Sequence, residues 1–169
     1  GARNVLDVPI ANLGISGGAN NSWHLLGNPF SSALLWDAAT EWQLTNIGGV
    51  VKVWNEANQS YSDLSSSPSS VIPATNGFLV QVTSGTGSLT IPSSKRTHSS
   101  QAFYKSALNS MLLTAKSMSA GNAQEAKIVI NPDASIGFDI MYDSEYLAGH
   151  GPTFYSLMGD LKLSTNTLG

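Results

Sequence analysis

The chain has 169 residues, a formal net charge of -3, no cysteine, and only 11% charged residues against 41% hydrophobic ones, where soluble proteins average about 25% charged. The weakly acidic balance, with no basic run, excludes nucleic acid as a partner; the apolar fraction excludes a disordered chain; and no apolar run reaches the ~18 residues of a membrane helix. The missing cysteine excludes disulfides, thiolate metal sites and cysteine nucleophiles, and 25 Ser, 11 Thr and 13 Asn supply the polar surface instead.

In chain order, turn signals are dense until about residue 98. Gly14-Ile15-Ser16-Gly17-Gly18, Gly48-Gly49, Ser65-Ser66-Ser67-Pro68 and Gly85-Thr86-Gly87 separate short segments of strand type. Those segments are Trp23 to Leu26, Val50 to Trp54, Tyr61 to Leu64, Gly77 to Val82 and Ser88 to Ile91. Short strands at such spacing predict a β-sandwich or barrel. The stretch from Ser99 to Ala120 lacks Gly and Pro and, read alone, carries helical spacing through Phe103, Ala107, Leu108, Met111, Leu112 and Ala115. Lys127 to Ile130 reads as a strand, and Gly137 to Leu163 mixes aromatic strand residues with acidic turns.

One hairpin is specified in register. A turn at Glu56-Ala57-Asn58-Gln59 sets Asn55 against Ser60, Trp54 against Tyr61, Val53 against Ser62, Lys52 against Asp63 and Val51 against Leu64. Side chains alternate between faces, so Trp54, Tyr61, Lys52 and Asp63 share one face and Val51, Val53 and Leu64 the other. Opposite charges and an aromatic pair across from each other favour this register. An exposed Trp54–Tyr61 pair beside the amides of Asn55, Asn58 and Gln59 is a surface suited to stacking on sugar rings. The alternative is a neighbouring loop that covers the pair. Of the other tryptophans, Trp23 sits among Leu25, Leu26 and Phe30 and is expected in the core. Trp36 and Trp42 bracket a short turn-like segment with Asp37 as its N-cap.

Catalytic patterns are weak. Gly14-Ile15-Ser16-Gly17-Gly18 matches the nucleophile-elbow spacing, but a turn and a strand follow it where a helix is needed. His24, His98 and His150 are not at metal-ligand spacing. Asp139, Asp143 and Glu145 lie close enough in sequence to offer oxygens to calcium, or simply to form Asx turns in a solvated loop. A paired-carboxylate glycosidase site needs two carboxylates flanking a cleft, to which nothing in the sequence points.

Several segments, in order, resemble a known type of protein. Trp23-His24-Leu25-Leu26-Gly27-Asn28-Pro29-Phe30-Ser31 resembles the W-x-L-x-G-N-P-[FY]-x-S signature of large secreted Bacteroidota-type proteins exported by the type IX route. Trp36-Asp37, Val53-Trp54-Asn55 with Tyr61, and Ile72-Pro73 followed by Gly77-Phe78-Leu79-Val80 resemble the segments that follow that signature. Arg96 with His98, Gly137-Phe138-Asp139 with Tyr142-Asp143, and Tyr155-Ser156-Leu157 to Leu163-Ser164 complete the series. The resemblance implies secretion as part of a large multidomain surface or extracellular protein. It supplies no catalytic residue, and it implies a strand rather than a helix at Asn109 to Ser117.

These readings together predict an all-β, jelly-roll-like β-sandwich of two antiparallel sheets. It is expected as one domain over residues 1–169, the alternative being two halves that meet near residue 98. Gly1 opens no signal peptide, and the chain reads as a segment of something longer. The expected function is a non-catalytic extracellular module for polysaccharide, bound at Trp54, Tyr61, Asn55, Asn58 and Gln59. The alternative is a structural or adhesive domain that contacts neighbouring protein domains. No cofactor is expected beyond calcium at Asp139, Asp143 and Glu145, and neither nucleic acid nor membrane insertion is expected.

Overall fold

Alternation of apolar and polar residues between Gly, Ser and Asn turns makes strands nearly everywhere. A computed structural model describes residues 8–14 by their backbone, and residues 22–67, 69–98 and 110–169. Among the described residues, helix is limited to two single 3-10 turns, Thr40–Trp42 and Ser93–Lys95. The chain is all-β, as expected. The nucleophile-elbow residues from Ile15 to Gly18 lie outside the described residues.

Residues up to 98 form β1 (Val8–Gly14), β2 (Trp23–Gly27), β3 (Ala33–Trp36), β4 (Val50–Asn55), β5 (Ser60–Ser65), β6 (Ser70–Ile72), β7 (Gly77–Gln81), β8 (Thr86–Ile91) and β9 (Arg96–Thr97). They pair as three antiparallel sheets in the orders β1-β8, β2-β7-β4-β5 and β6-β3-β9. One continuous core unites them: Phe30, Leu34, Trp36, Trp42, Ile47, Val51, Val53, Ile72, Phe78, Val80, Val82, Leu89 and Ile91. Trp36 and Trp42 meet edge to face at 4.8 Å. Their indole nitrogens donate to the carbonyls of Gly49 and Leu35, so two bulky rings are buried with no donor left unpaired. Asp37 accepts from Ala39 N in an Asx turn ahead of Thr40–Trp42 and pairs with Lys95 at 2.8 Å.

The rest of the chain forms β10 (Ser110–Lys116), β11 (Ala123–Ile130), β12 (Ser144–Glu145), β13 (Ser156–Met158) and β14 (Leu161–Leu168). Their order is β10-β11-β14-β12, with β13 also on β14. β10 is the strand expected at Asn109 to Ser117, and no helix runs through its residues. β11 and β14 run parallel, while the other pairs are antiparallel. Among the described residues the strands are grouped into four sheets, consistent with the expected all-β sandwich, and one ladder is parallel.

This five-stranded sheet lies against the outer face of β4 and β5. Asn58 O accepts from Ala123 N at 2.8 Å, and Gln59 O accepts from His150 N at 2.8 Å. Gly49 N donates to Ile140 O at 2.9 Å. Trp23 is a correction to the sequence reading. It is half-buried and lies outside the core cluster, with its ring against Lys52 on the same outer face. An apolar neighbourhood in sequence did not determine which side of β2 the ring would take.

Candidate functional site

The β4–β5 hairpin has the register expected from its sequence: Asn55↔Ser60, Trp54↔Tyr61, Val53↔Ser62, Lys52↔Asp63 and Val51↔Leu64. Its turn is Glu56 to Gln59, closed by Asn58 N donating to the Asn55 side-chain oxygen at 3.2 Å. Gln59 supplies a left-handed residue at φ 53°.

The aromatic pair keeps its expected place with a different geometry. The Trp54 and Tyr61 rings are 5.1 Å apart at 73°, and the Trp54 and His150 rings 6.1 Å apart at 89°. Rings at right angles offer no shared plane on which a sugar lies flat. Both Trp54 and Tyr61 are half-buried.

The amides beside them are engaged within the chain. Asn55 Nδ2 donates to Ser62 Oγ, and Asn58 Nδ2 to Glu125 Oε1 at 3.1 Å. Gln59 Nε2 donates to both the main-chain oxygen and the carboxylate of Glu56 at 2.9 Å, while Trp54 Nε1 donates to the other Glu56 oxygen at 2.8 Å. Burial pushes the Glu125 carboxyl up, and the Asn58 amide partly offsets this.

Comparison with known protein families, curated proteins and solved structures returns no match. The site's chemistry therefore has to be read from its geometry.

The carboxylates of Asp139 and Asp143 are engaged by main-chain amides. Asp143 is buried, and its two oxygens accept from Asp139 N at 2.7 Å and Thr167 N at 2.6 Å. Asp139 accepts from Met141 N and Ser135 N. Glu145 lies on β12, with its carbonyl oxygen 3.1 Å from Ser164 Oγ. Among the described residues, no group of three or more His, Cys, Asp or Glu is placed to hold a metal ion. The Asp139 and Asp143 carboxylates close a turn onto β14. Burial raises the Asp143 carboxyl above its usual range, against the two amides that favour its charge.

The strongest polar cluster was only half legible in sequence. Lys52 and Asp63 face each other as expected, but their side chains are 1% and 8% exposed. Lys52 Nζ lies 2.6 Å from Asp63 Oδ1 and 2.6 Å from Ser164 Oγ, and 5.0 Å from the centre of the Trp23 ring. Asp63 Oδ2 accepts from Ser164 Oγ at 2.8 Å and Thr165 Oγ1 at 2.6 Å. Burial pulls the Lys52 ammonium below its ordinary range, opposed by the charges of Asp63 and Glu145. Lys127, on β11, is pulled down by burial in the same way. The alternating charge pair gave a signal for the cross-strand contact. Nothing near it in sequence announced Ser164 and Thr165.

Proposed function

We propose that the chain is a non-catalytic structural or adhesive module of a larger secreted or cell-surface protein, working by contact through β10. The observation that carries this reading is the exposure of Met111, Leu112 and Leu113 in a row. Successive strand residues point to opposite faces, so β10 offers apolar side chains on both sides. Among the described residues β10 pairs only with β11, which leaves it at the edge of the described sheet. Edges of this kind are normally blunted by charge or proline, and here Lys116 is the single charged residue of the strand.

The occupant we assign to this edge is a second copy of the chain. Antiparallel self-pairing centred on Leu113 sets Met111 against Ala115, Leu112 against Thr114 and Ser110 against Lys116, with no like charges opposed. The apolar surface continues across the sheet through Ile130 and Leu168. Secretion through the type IX route rests on the resemblance of the ordered Trp23-to-Ser31 and Gly137-to-Asp143 segments.

Light scattering at micromolar concentration tests the reading. A defined oligomer or fibre that Leu113→Lys converts to monomer is the expected result. A strict monomer for the parent chain overturns it.

A polysaccharide role is the second reading, favoured by one observation. Trp54 and Tyr61 are half-buried rather than sealed, and exposed His150 and Glu56 adjoin them. Contacts to such ring edges recover little after ordering costs, so affinity would be modest. The reading requires Trp54→Ala to lose retention on a glycan that retains the parent. Equal retention of the two on every glycan tested sinks it.

A further inference from the structure

We propose that Lys52 and Asp63 condense to an intramolecular amide, Nζ to Cγ, which staples β4 to β5 beneath the second sheet. The pair is already in contact at 2.6 Å, on directly opposed residues of one antiparallel ladder. Neither side chain reaches bulk water to an appreciable extent.

The two carboxylate oxygens have different surroundings. Oδ1 faces the amine. Oδ2 accepts from the hydroxyls of Ser164 and Thr165. In the reaction, the Lys52 ammonium first gives a proton to the Asp63 carboxylate, leaving an amine and a carboxylic acid. Nζ then attacks Cγ, and the C–N bond forms as negative charge gathers on Oδ2, between its two hydroxyl donors. Such placed donors stabilise the charge of a tetrahedral intermediate. One of the two protons left on nitrogen passes to the Oδ1 hydroxyl formed in the first step, the Cγ–Oδ1 bond breaks, one water leaves, and the amide nitrogen keeps the other proton. Oδ2 stays as the amide oxygen. No oxidant or other reactant is consumed.

Two physical effects favour this outcome over a persistent ion pair. In water, condensation is opposed by the solvation of the two ions and by the entropy of bringing them together. Burial removes the first, and it also lowers the proton affinity of Lys52. The hairpin register removes the second, since well-oriented groups react with effective molarities of roughly 10⁵ M or more. The product carries no charge into a site that water does not reach.

Intact mass measured under denaturing conditions on the full chain tests the inference. The expected mass is that of the sequence less one water. Fragmentation of a protease digest should yield a branched peptide joining β4 to β5 through Lys52 and Asp63, and Lys52→Met should keep its full mass. A parent chain at its full sequence mass after prolonged incubation overturns the proposal. So does a water loss that maps elsewhere or survives in Lys52→Met. The parent's own mass decides the matter even where Lys52→Met does not fold.

Discussion

Asn58, at the tip of the β4–β5 hairpin, holds Glu125 on β11 by a 3.1 Å side-chain hydrogen bond while its own carbonyl accepts from Ala123 N. One residue thus clasps the hairpin to the second sheet through both side chain and main chain. Asn58→Ala removes the side-chain bond and leaves a half-buried carboxylate less well satisfied. The expected loss is about 1–2 kcal/mol of stability, a range set by single hydrogen bonds of this type. Because the Asn58 amide favours the charged form of Glu125, the Glu125 carboxyl should titrate still higher in the variant. Denaturant unfolding and a carboxyl-resolved NMR titration check the two parts.

Gly49, just before β4, packs against the main chain of Ile140 and Met141. A Cβ there would run into the main-chain carbonyl of Met141, and the Gly49 carbonyl already accepts from Trp36 Nε1 and Ser66 N. Backbone on both sides cannot yield as a flexible side chain would. Gly49→Ala is expected to destabilise the chain by about 1–3 kcal/mol, the usual range for overpacking. Gly27→Ala has open space at its Cβ and is the control expected to cost less. Thermal unfolding of the two variants side by side measures the difference.

Asp143 should leave a signature in acid. Burial raises its carboxyl above the ordinary value of 3.8, so between that value and the folded one the folded state binds more protons than the unfolded state. Stability therefore falls as pH rises through this window and levels off above it. Asp143→Asn removes the titration and, having one acceptor where two amides need one each, costs about 1–3 kcal/mol at neutral pH. The variant's stability should decline less steeply across the acid window. An unchanged slope would place the proton on another group.

Apolar side chains in the core and on β10 should respond differently to truncation. Val51→Ala deletes methyls from the closed core and is expected to cost about 2–3 kcal/mol. Leu113→Ala and Met111→Ala act on exposed positions, where changes usually stay within about 0.5 kcal/mol. Denaturant titration separates the classes. Measured at a dilution where the chain is monomeric, a large loss at Leu113 would mean that β10 is covered within the chain itself.

The hairpin marks how far local pattern reaches. Its turn, its five expected pairs and the inward set of Val51 and Val53 follow from alternation and from two favourable cross-strand pairs. The strand at Ser110–Lys116 was legible only from the family resemblance, because its apolar residues also fit helical spacing. The candidate sugar-binding amides were correctly placed near the turn, but their partners are Glu56, Ser62 and Glu125. A turn-rich composition tells which residues carry amides, not whether those amides are already bonded.

The sequence by itself determined the class of fold, the strand periodicity and the Lys52–Asp63 register. These depend on neighbours within one hairpin and on a period of two, which local chemistry sets. Only the tertiary structure decided what lies against the second face of that hairpin. Ser164 and Thr165 arrive from more than a hundred residues away and turn the cross-strand charge pair into part of a buried hydrogen-bonded cluster. A strand's pattern states that it has two faces. The low charge and abundant hydroxyls of this chain suit a buried polar seam as well as a wet surface, so composition could not distinguish the two.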